Sequence, residues 1–293
     1  MRVVTGDGAV LHVHTEGAVG HQAHATVVLT HGFCMSGASW ARVRQGLCRQ
    51  FPDLRVVTYD HRGHGRSTSG TQAHSVAQLA ADLDAVIGAA APSGPLLLAG
   101  HSLGAMALLE HLSGNREILA RLSGVAIIAS AAGGLTECGL GRMLPPGIVR
   151  SLPRAAKVAP SLFEAIWAAT RSAATPMLGR RHGHHNRPTA RVLAEIAASL
   201  MTYDVRAGLD VLAAVPTRVL VGEHDRITPV QHAHEIARSS RGAVVTVIPG
   251  GGHNLPVERP SVVVDALSEL LGHTLGRPWA SPSALSATTA AAM

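Results

Sequence analysis

The chain has 293 residues, of which 46% are hydrophobic and 15% are charged, and its formal net charge at pH 7 is +6. This composition excludes a disordered chain and suffices for one large α/β domain with an insertion. The basic residues are scattered, with no Lys/Arg run of five, so we expect no nucleic-acid partner. No run of 18 apolar residues occurs, which predicts that no segment spans a membrane.

Three cysteines, Cys34, Cys48 and Cys138, show no C-x-x-C spacing and cannot all pair within one chain. This usage is typical of a reducing compartment rather than of a disulfide framework. The first residues also lack the apolar stretch of a secretory signal. We therefore expect a cytoplasmic protein.

The first 130 residues alternate between apolar strand patterns and helical patterns, which is typical of a mostly parallel sheet covered by helices. A strand predicted at 26–30 leads into the sequence HGF, and a strand at 54–59 leads into the glycine-rich sequence DHRGHGRS. Residues 75–87 carry apolar side chains at helical spacing. This part of the chain therefore predicts the start of an α/β core.

The sequence GHSLG at 100–104 is the most informative stretch, because it lies between an apolar strand pattern and an apolar helical pattern. A G-x-S-x-G in that context is a nucleophile elbow, which exposes the serine hydroxyl at the top of the sheet. The turn is tight, so a Cβ at Gly100 or Gly104 would collide with a neighbouring strand or helix. The pattern predicts Ser102 as the nucleophile.

Two loops further along the chain supply an acid and a base. Asp225 follows the strand predicted at 217–221, and His253 follows the strand predicted at 243–248. Open α/β sheets place their sites beyond the carboxyl ends of such strands. A serine hydroxyl needs an adjacent base, so His253 would take its proton while Asp225 fixes the histidine tautomer.

The chain resembles the α/β-hydrolase family over nearly its whole length. Four motifs carry the resemblance: HGF, DHRGHGRS, GHSLG and the loops of Asp225 and His253, in the chain order Ser, Asp, His. The resemblance implies an α/β-hydrolase fold, with a mostly parallel central sheet flanked by helices and an inserted helical cap. It also implies that the backbone N–H groups of Phe33 and Leu103 form the oxyanion hole.

The interval between the strand after the elbow helix and the strand before Asp225 is too long for a loop. It contains helical patterns, one of them at 189–201, separated by prolines. We predict that 132–209 forms a helical cap inserted between two segments of the hydrolase core. The core segments are 1–131 and 210–273, and the Ala/Ser/Thr-rich residues 274–293 form a disordered tail.

The predicted cap should decide which substrate fits. Phe163, Trp167 and Met177 are candidate substrate-binding residues, and packing of the cap on the core is the alternative role for each. The histidine-rich stretch at 182–185 lacks partners at zinc-ligand spacing and is flanked by arginines, so we predict no metal site. The catalytic set requires no cofactor.

Other residues compete for the catalytic roles. Glu223 lies closer to its strand than Asp225 and could serve as the acid, although the family pattern G-x-x-D favours Asp225. His101, inside the elbow, is interpreted as a packing residue. His31 is interpreted as a residue that orients the backbone of the oxyanion loop, the HGF sequence at 31–33.

These features predict a serine hydrolase of the carboxylesterase or lipase type. It would cleave a carboxylic ester, or a related acyl bond, of a small or lipid-like substrate through an acyl-enzyme. A serine nucleophile argues against epoxide hydrolases and haloalkane dehalogenases, which use aspartate. The alternatives are a biosynthetic acyltransferase, a lactonising enzyme or a C–C bond hydrolase on the same scaffold, and a non-catalytic binding module. The sequence leaves the natural substrate and the oligomeric state open.

Overall fold

The central feature of the molecule is an eight-stranded sheet, seen in a computed structural model that describes residues 1–18, 23–139, 188–240 and 242–275. The strands are β1 (Arg2–Val4), β2 (Val10–Gly17), β3 (Ala25–Thr30), β4 (Leu54–Tyr59), β5 (Leu96–His101), β6 (Leu122–Ile128), β7 (Thr217–Gly222) and β8 (Val244–Ile248). Their order across the sheet is β1-β2-β4-β3-β5-β6-β7-β8. Only β2 pairs antiparallel to its neighbours β1 and β4, and all other pairs are parallel. The predicted mostly parallel sheet is therefore confirmed.

Helices cover both faces of this sheet. They are α1 (Ala41–Gln50), α2 (Val76–Ala90), α3 (Leu103–Gly114), α4 (Ala190–Thr202), α5 (Val230–Ser239), α6 (Leu255–Glu258) and α7 (Pro260–Leu275). The Ser75 hydroxyl caps α2 by accepting the N–H of Gln78 at 3.1 Å, and Thr189 caps α4 in the same way. The helices predicted at 75–87 and 189–201 are thus confirmed to within three residues at each end.

The two largest apolar clusters of the core lie on opposite faces of the sheet, because successive side chains of a strand point to opposite sides. On β5, Leu96 and Leu98 pack in the cluster that contains α2, α3 and α5 residues. Leu97 packs in the other cluster, with residues of α1 and α7. A strand that is buried at every position, as β5 is, therefore marks a sheet covered on both faces.

The glycine-rich turn at 60–67 is built around a buried carboxylate and a buried guanidinium. Asp60 accepts the N–H groups of Gly37 and Arg66, each at 2.8 Å. The Arg62 side chain, fully buried, donates to both oxygens of Asp82 at 2.6 Å and to Asp7 at 2.8 and 3.1 Å. These contacts tie the turn to the N-terminal hairpin and to α2.

The described residues cover the predicted cap only at its two ends, 132–139 and 188–209. The returning end contains α4, whose Val192, Ile196 and Leu200 pack against Leu103 of the elbow helix. The cap boundaries stay a prediction, and the predicted tail falls largely outside the described residues.

Candidate active site

Ser102 occupies the tight turn between β5 and α3. Its backbone has φ 52° and ψ −120°, a conformation that side-chain-bearing residues rarely adopt and that costs about 1–3 kcal/mol. The N–H of Ser102 donates to the carbonyl of Ile128 at 2.9 Å, and the Ser130 hydroxyl donates to the carbonyl of Ser102 at 2.9 Å. Neighbouring backbone and side-chain groups therefore hold the strained residue in place.

The glycines on either side of the serine have no room for a side chain. A Cβ at Gly100 would lie 2.4 Å from the Cα of Ala105. A Cβ at Gly104 would lie 2.5 Å from the carbonyl oxygen of Thr30, at the end of β3. The sheet and α3 therefore pack so closely that only glycine fits at these two positions, as the G-x-S-x-G pattern predicts.

The structure brings Ser102, His253 and Asp225 together at the carboxyl ends of the strands. The Nε2 atom of His253 is 3.0 Å from the Ser102 Oγ atom, and its Nδ1 atom is 2.8 Å from Asp225 Oδ2. A carboxylate facing Nδ1 keeps the proton on that nitrogen, which leaves Nε2 able to accept the serine proton. All three residues are buried, with 8% or less of their surface exposed.

Asp225 accepts hydrogen bonds from three further donors besides the Nδ1–H of His253. Its Oδ1 accepts the backbone N–H groups of Ile227 and Thr228, and its Oδ2 accepts the Thr228 hydroxyl at 2.9 Å. Burial acts to raise the pKa of Asp225, but the charge of His253 and the hydrogen bonds from His253 and Thr228 outweigh it and lower the pKa. Thr228 is a functional residue that the sequence analysis does not identify. The one signal for its contact with Asp225 is its position three residues after the acid.

The competing acid lies elsewhere. Glu223 is exposed, and its carboxylate accepts the backbone N–H of Gly250 at 2.9 Å. His224 is exposed as well. Asp225, and not Glu223, contacts the His253 ring. Glu223 instead stabilises the loop that contains Gly250.

His101 makes a contact that its sequence position does not reveal. Its Nε2–H donates to the backbone carbonyl of His253 at 2.8 Å, and the two rings lie 5.1 Å apart. Burial, reinforced by His253, lowers the pKa of His101 to about 3, so the ring is neutral. His101 therefore links the elbow to the histidine loop, a role beyond simple packing.

The predicted oxyanion-hole residues are Phe33, in the loop after β3, and Leu103, directly after the turn that follows β5. The strands that precede them, β3 and β5, are paired neighbours, with Thr30 opposite Gly100. Leu103 is the first residue of α3, where N–H groups have no intrahelical partner and the helix dipole favours negative charge. The assignment of these N–H groups to an oxyanion hole stays a proposal.

Three buried histidines join the oxyanion loop to the turn at 60–67. His31 donates from Nδ1 to the carbonyl of Gly32 and accepts the N–H of His61 at Nε2. The His31 ring lies 4.2 Å from that of His61 and 5.5 Å from that of His64. These contacts fit the interpretation of His31 as a residue that orients the backbone.

The same histidines predict a loss of stability in acid. Burial lowers the pKa of His61 to about 3 and that of His64 to about 4, and it holds the pKa of His31 well below 6.5. The unfolded chain takes up these protons near pH 6.5, whereas the folded chain does not, so stability is full above about pH 6.5 and falls toward about pH 4. We expect a loss on the order of 1–2 kcal/mol per histidine between about pH 6.5 and pH 5 in urea unfolding.

The substitution His64→Asn isolates this effect from that of the carboxylates. Asparagine can still donate to the carbonyl of Arg62, as His64 does at 3.0 Å, but it does not titrate. The pH dependence of the variant should be shallower by about one histidine's contribution. An equally steep dependence in the variant would contradict the prediction.

The predicted substrate-binding residues Phe163, Trp167 and Met177 lie outside the described residues. Near the site, the structure describes α4, whose Ala190, Leu193 and Ala194 form a small apolar cluster in contact with Phe33. The returning end of the predicted cap therefore lies beside the oxyanion loop.

Within the described ranges, no group of three or more His, Cys, Asp or Glu side chains is placed to hold a metal ion. None of the helices in those ranges has the length and apolar character that crossing a membrane demands.

A comparison with known proteins places the chain in a family. The model of the alpha/beta hydrolase family matches residues 27–266, so the chain belongs to that family.

Individual relatives differ in how much of the chain they match. EphD of Mycobacterium tuberculosis, whose name assigns it to the oxidoreductases, is 38% identical over 106 residues; this match spans 36% of the chain but only 17% of EphD. RutD of Caulobacter sp. (strain K31), whose name assigns it to the carbamate hydrolases, is 27% identical over 92% of the chain and 98% of its own length. A thermophilic esterase from Thermogutta terrifontis has a similar structure, with a TM-score of 0.70, 23% identity, and coverage of 94% of this chain and 98% of the esterase.

Proposed function

We propose that this protein is a serine hydrolase that cleaves carboxylic esters through an acyl-enzyme, with Ser102 as nucleophile, His253 as general base and Asp225 as its partner. The observation that carries the proposal is the continuous hydrogen-bonded series Ser102–His253–Asp225 at an elbow with a strained serine. Strain and buried polar contacts of this kind cluster at sites of chemistry.

The reaction follows from the positions of these groups. The Ser102 Oγ attacks the ester carbonyl while its proton passes to Nε2 of His253. The tetrahedral oxyanion is stabilised by the backbone N–H groups of Phe33 and Leu103, each worth about 2.7–4 kcal/mol of barrier. His253 then protonates the leaving alcohol, and it later activates the water that hydrolyses the acyl-enzyme.

The substrate class is also part of the proposal. A cap at 132–209, with Phe163, Trp167 and Met177 among its lining residues, would give an apolar pocket for a small or lipid-like acyl group. The apolar contact of α4 with Phe33 supports a pocket of this character. A cytoplasmic location remains a prediction from the sequence.

A panel of p-nitrophenyl esters of increasing acyl length tests the proposal. We expect rapid initial release of p-nitrophenol, in an amount comparable to the enzyme, whenever hydrolysis of the acyl-enzyme limits turnover. Mass spectrometry of the quenched enzyme should find the acyl group on Ser102. Absence of both turnover and acylation across the panel would contradict an esterase function.

Carbamates form a second candidate class, favoured by the RutD relative that matches 92% of the chain. The same serine could attack a carbamate carbonyl, with loss of an amine or an alcohol. Aryl carbamates added to the panel would distinguish the classes, since rates above those of the matched esters would favour the second.

A further inference from the structure

A cysteine and a histidine outside the proposed catalytic set lie in direct contact. The Sγ atom of Cys138, in the turn that follows β6, is 3.0 Å from the Nε2 atom of His232, on α5. His232 is buried, whereas Cys138 is partly exposed. A thiol becomes strongly nucleophilic when a neighbouring base takes its proton.

Acidic and basic groups surround the pair in an order that favours proton transfer. The Nδ1 atom of His232 faces Glu235 Oε2 at 3.7 Å, so a carboxylate lies on the side of the imidazole opposite the thiol. Glu235 is in turn bound by Arg206 at 3.0 Å, and Arg206 also contacts Glu137, beside the cysteine, at 3.8 Å. The Cys–His–Glu series has the order of an activated nucleophile.

The turn that carries Cys138 is fixed rather than loosely placed. The N–H groups of Glu137 and Cys138 both donate to the carbonyl of Gly134. Gly139 has φ +70°, and a Cβ there would lie 2.2 Å from the carbonyl oxygen of Ile227. The thiol is therefore positioned against His232 by its own backbone.

We propose that Cys138 is a covalent modification site, with a thiol activated by His232 that reacts with soft electrophiles and with hydrogen peroxide. With an alkylating agent such as iodoacetamide, the thiol proton passes to His232, the C–S bond forms and iodide leaves. With hydrogen peroxide, the sulfur attacks one oxygen and the O–O bond breaks. Sulfur is oxidised to a sulfenic acid, and the departing hydroxide takes the proton from His232 to become water.

The test is the rate of iodoacetamide alkylation at each cysteine, followed by peptide mass spectrometry across a pH series. Cys48 is an internal control, because burial, reinforced by Glu16, raises the pKa of its thiol. At neutral pH we expect Cys138 to react at least about tenfold faster than Cys48, whereas the two should react alike in urea-unfolded protein.

Two variants assign the effect to the neighbouring base. His232→Gln should slow alkylation of Cys138 at neutral pH by about tenfold or more and move its rate profile to that of an ordinary thiol. Glu235→Gln leaves the imidazole in place and should slow alkylation by a smaller factor. A Cys138 rate that is unchanged by both variants, in protein with an unaltered circular dichroism spectrum, would overturn the proposal. The readout is independent of ester hydrolysis, so it stands or falls separately from the proposed function.

Discussion

Replacing Ser102 by alanine is expected to lower kcat/KM for p-nitrophenyl esters by at least about 10⁴-fold, because the His253 base then has no nucleophile to activate. Labelling by a fluorophosphonate probe should vanish in the same variant, since the probe reacts with an activated serine hydroxyl. The fold should be retained, because the backbone contacts of Ser102 do not involve its hydroxyl.

The substitution Ser123→Ala is the matched control. Ser123 lies near the beginning of β6, at the opposite end of the sheet from the site, where its hydroxyl donates to the carbonyl of Leu96 at 3.1 Å. Activity and labelling should both survive this change. Probe labelling that persists in Ser102→Ala would show that another residue is the nucleophile.

Removing the carboxylate of Asp82 is expected to destabilise the protein by about 3–5 kcal/mol, because it leaves the Arg62 guanidinium buried without its main partner. Both side chains of this ion pair are completely buried, and two hydrogen bonds of 2.6 Å join them. The remaining partners of Arg62, Asp7 and the carbonyl of Ser69, make longer contacts with it. Urea unfolding of Asp82→Ala measures the loss.

A surface pair of the same chemistry offers the control. Asp210 contacts Arg116 at 3.1 Å, but more than 60% of each side chain is exposed. Asp210→Ala should therefore cost no more than about 1 kcal/mol. Equal losses in Asp82→Ala and Asp210→Ala would show that burial of the Arg62 pair carries no special weight.

The parts of the molecule that could be predicted from the sequence are those that depend on residues close together along the chain. Strands β3 and β5 are mostly apolar, because both faces of the sheet are covered, and such stretches are visible without coordinates. The elbow is visible for a related reason. Only glycine fits at Gly100 and Gly104, so the steric crowding of the turn can be inferred from the residue types alone.

The contacts that escaped prediction join residues that are distant along the chain. His101 donates to the carbonyl of His253, a backbone atom whose position no side-chain pattern reports. The sequence also does not reveal that Asp7 and Asp82 are the partners of Arg62, because an arginine can pair with any acid that the fold brings near. Substrate choice escapes for the same reason, since it depends on how the predicted cap packs over the site.

The strained backbone of Ser102 is held by two hydrogen bonds. Its N–H donates to the carbonyl of Ile128, and the Ser130 hydroxyl donates to its carbonyl. Neither contact touches the reactive side chain. A carboxylate or a thiol at position 102 would be held by the same backbone contacts and would face a substrate from the same direction. The nucleophilic side chain and the backbone that positions it can therefore change independently as enzymes diverge.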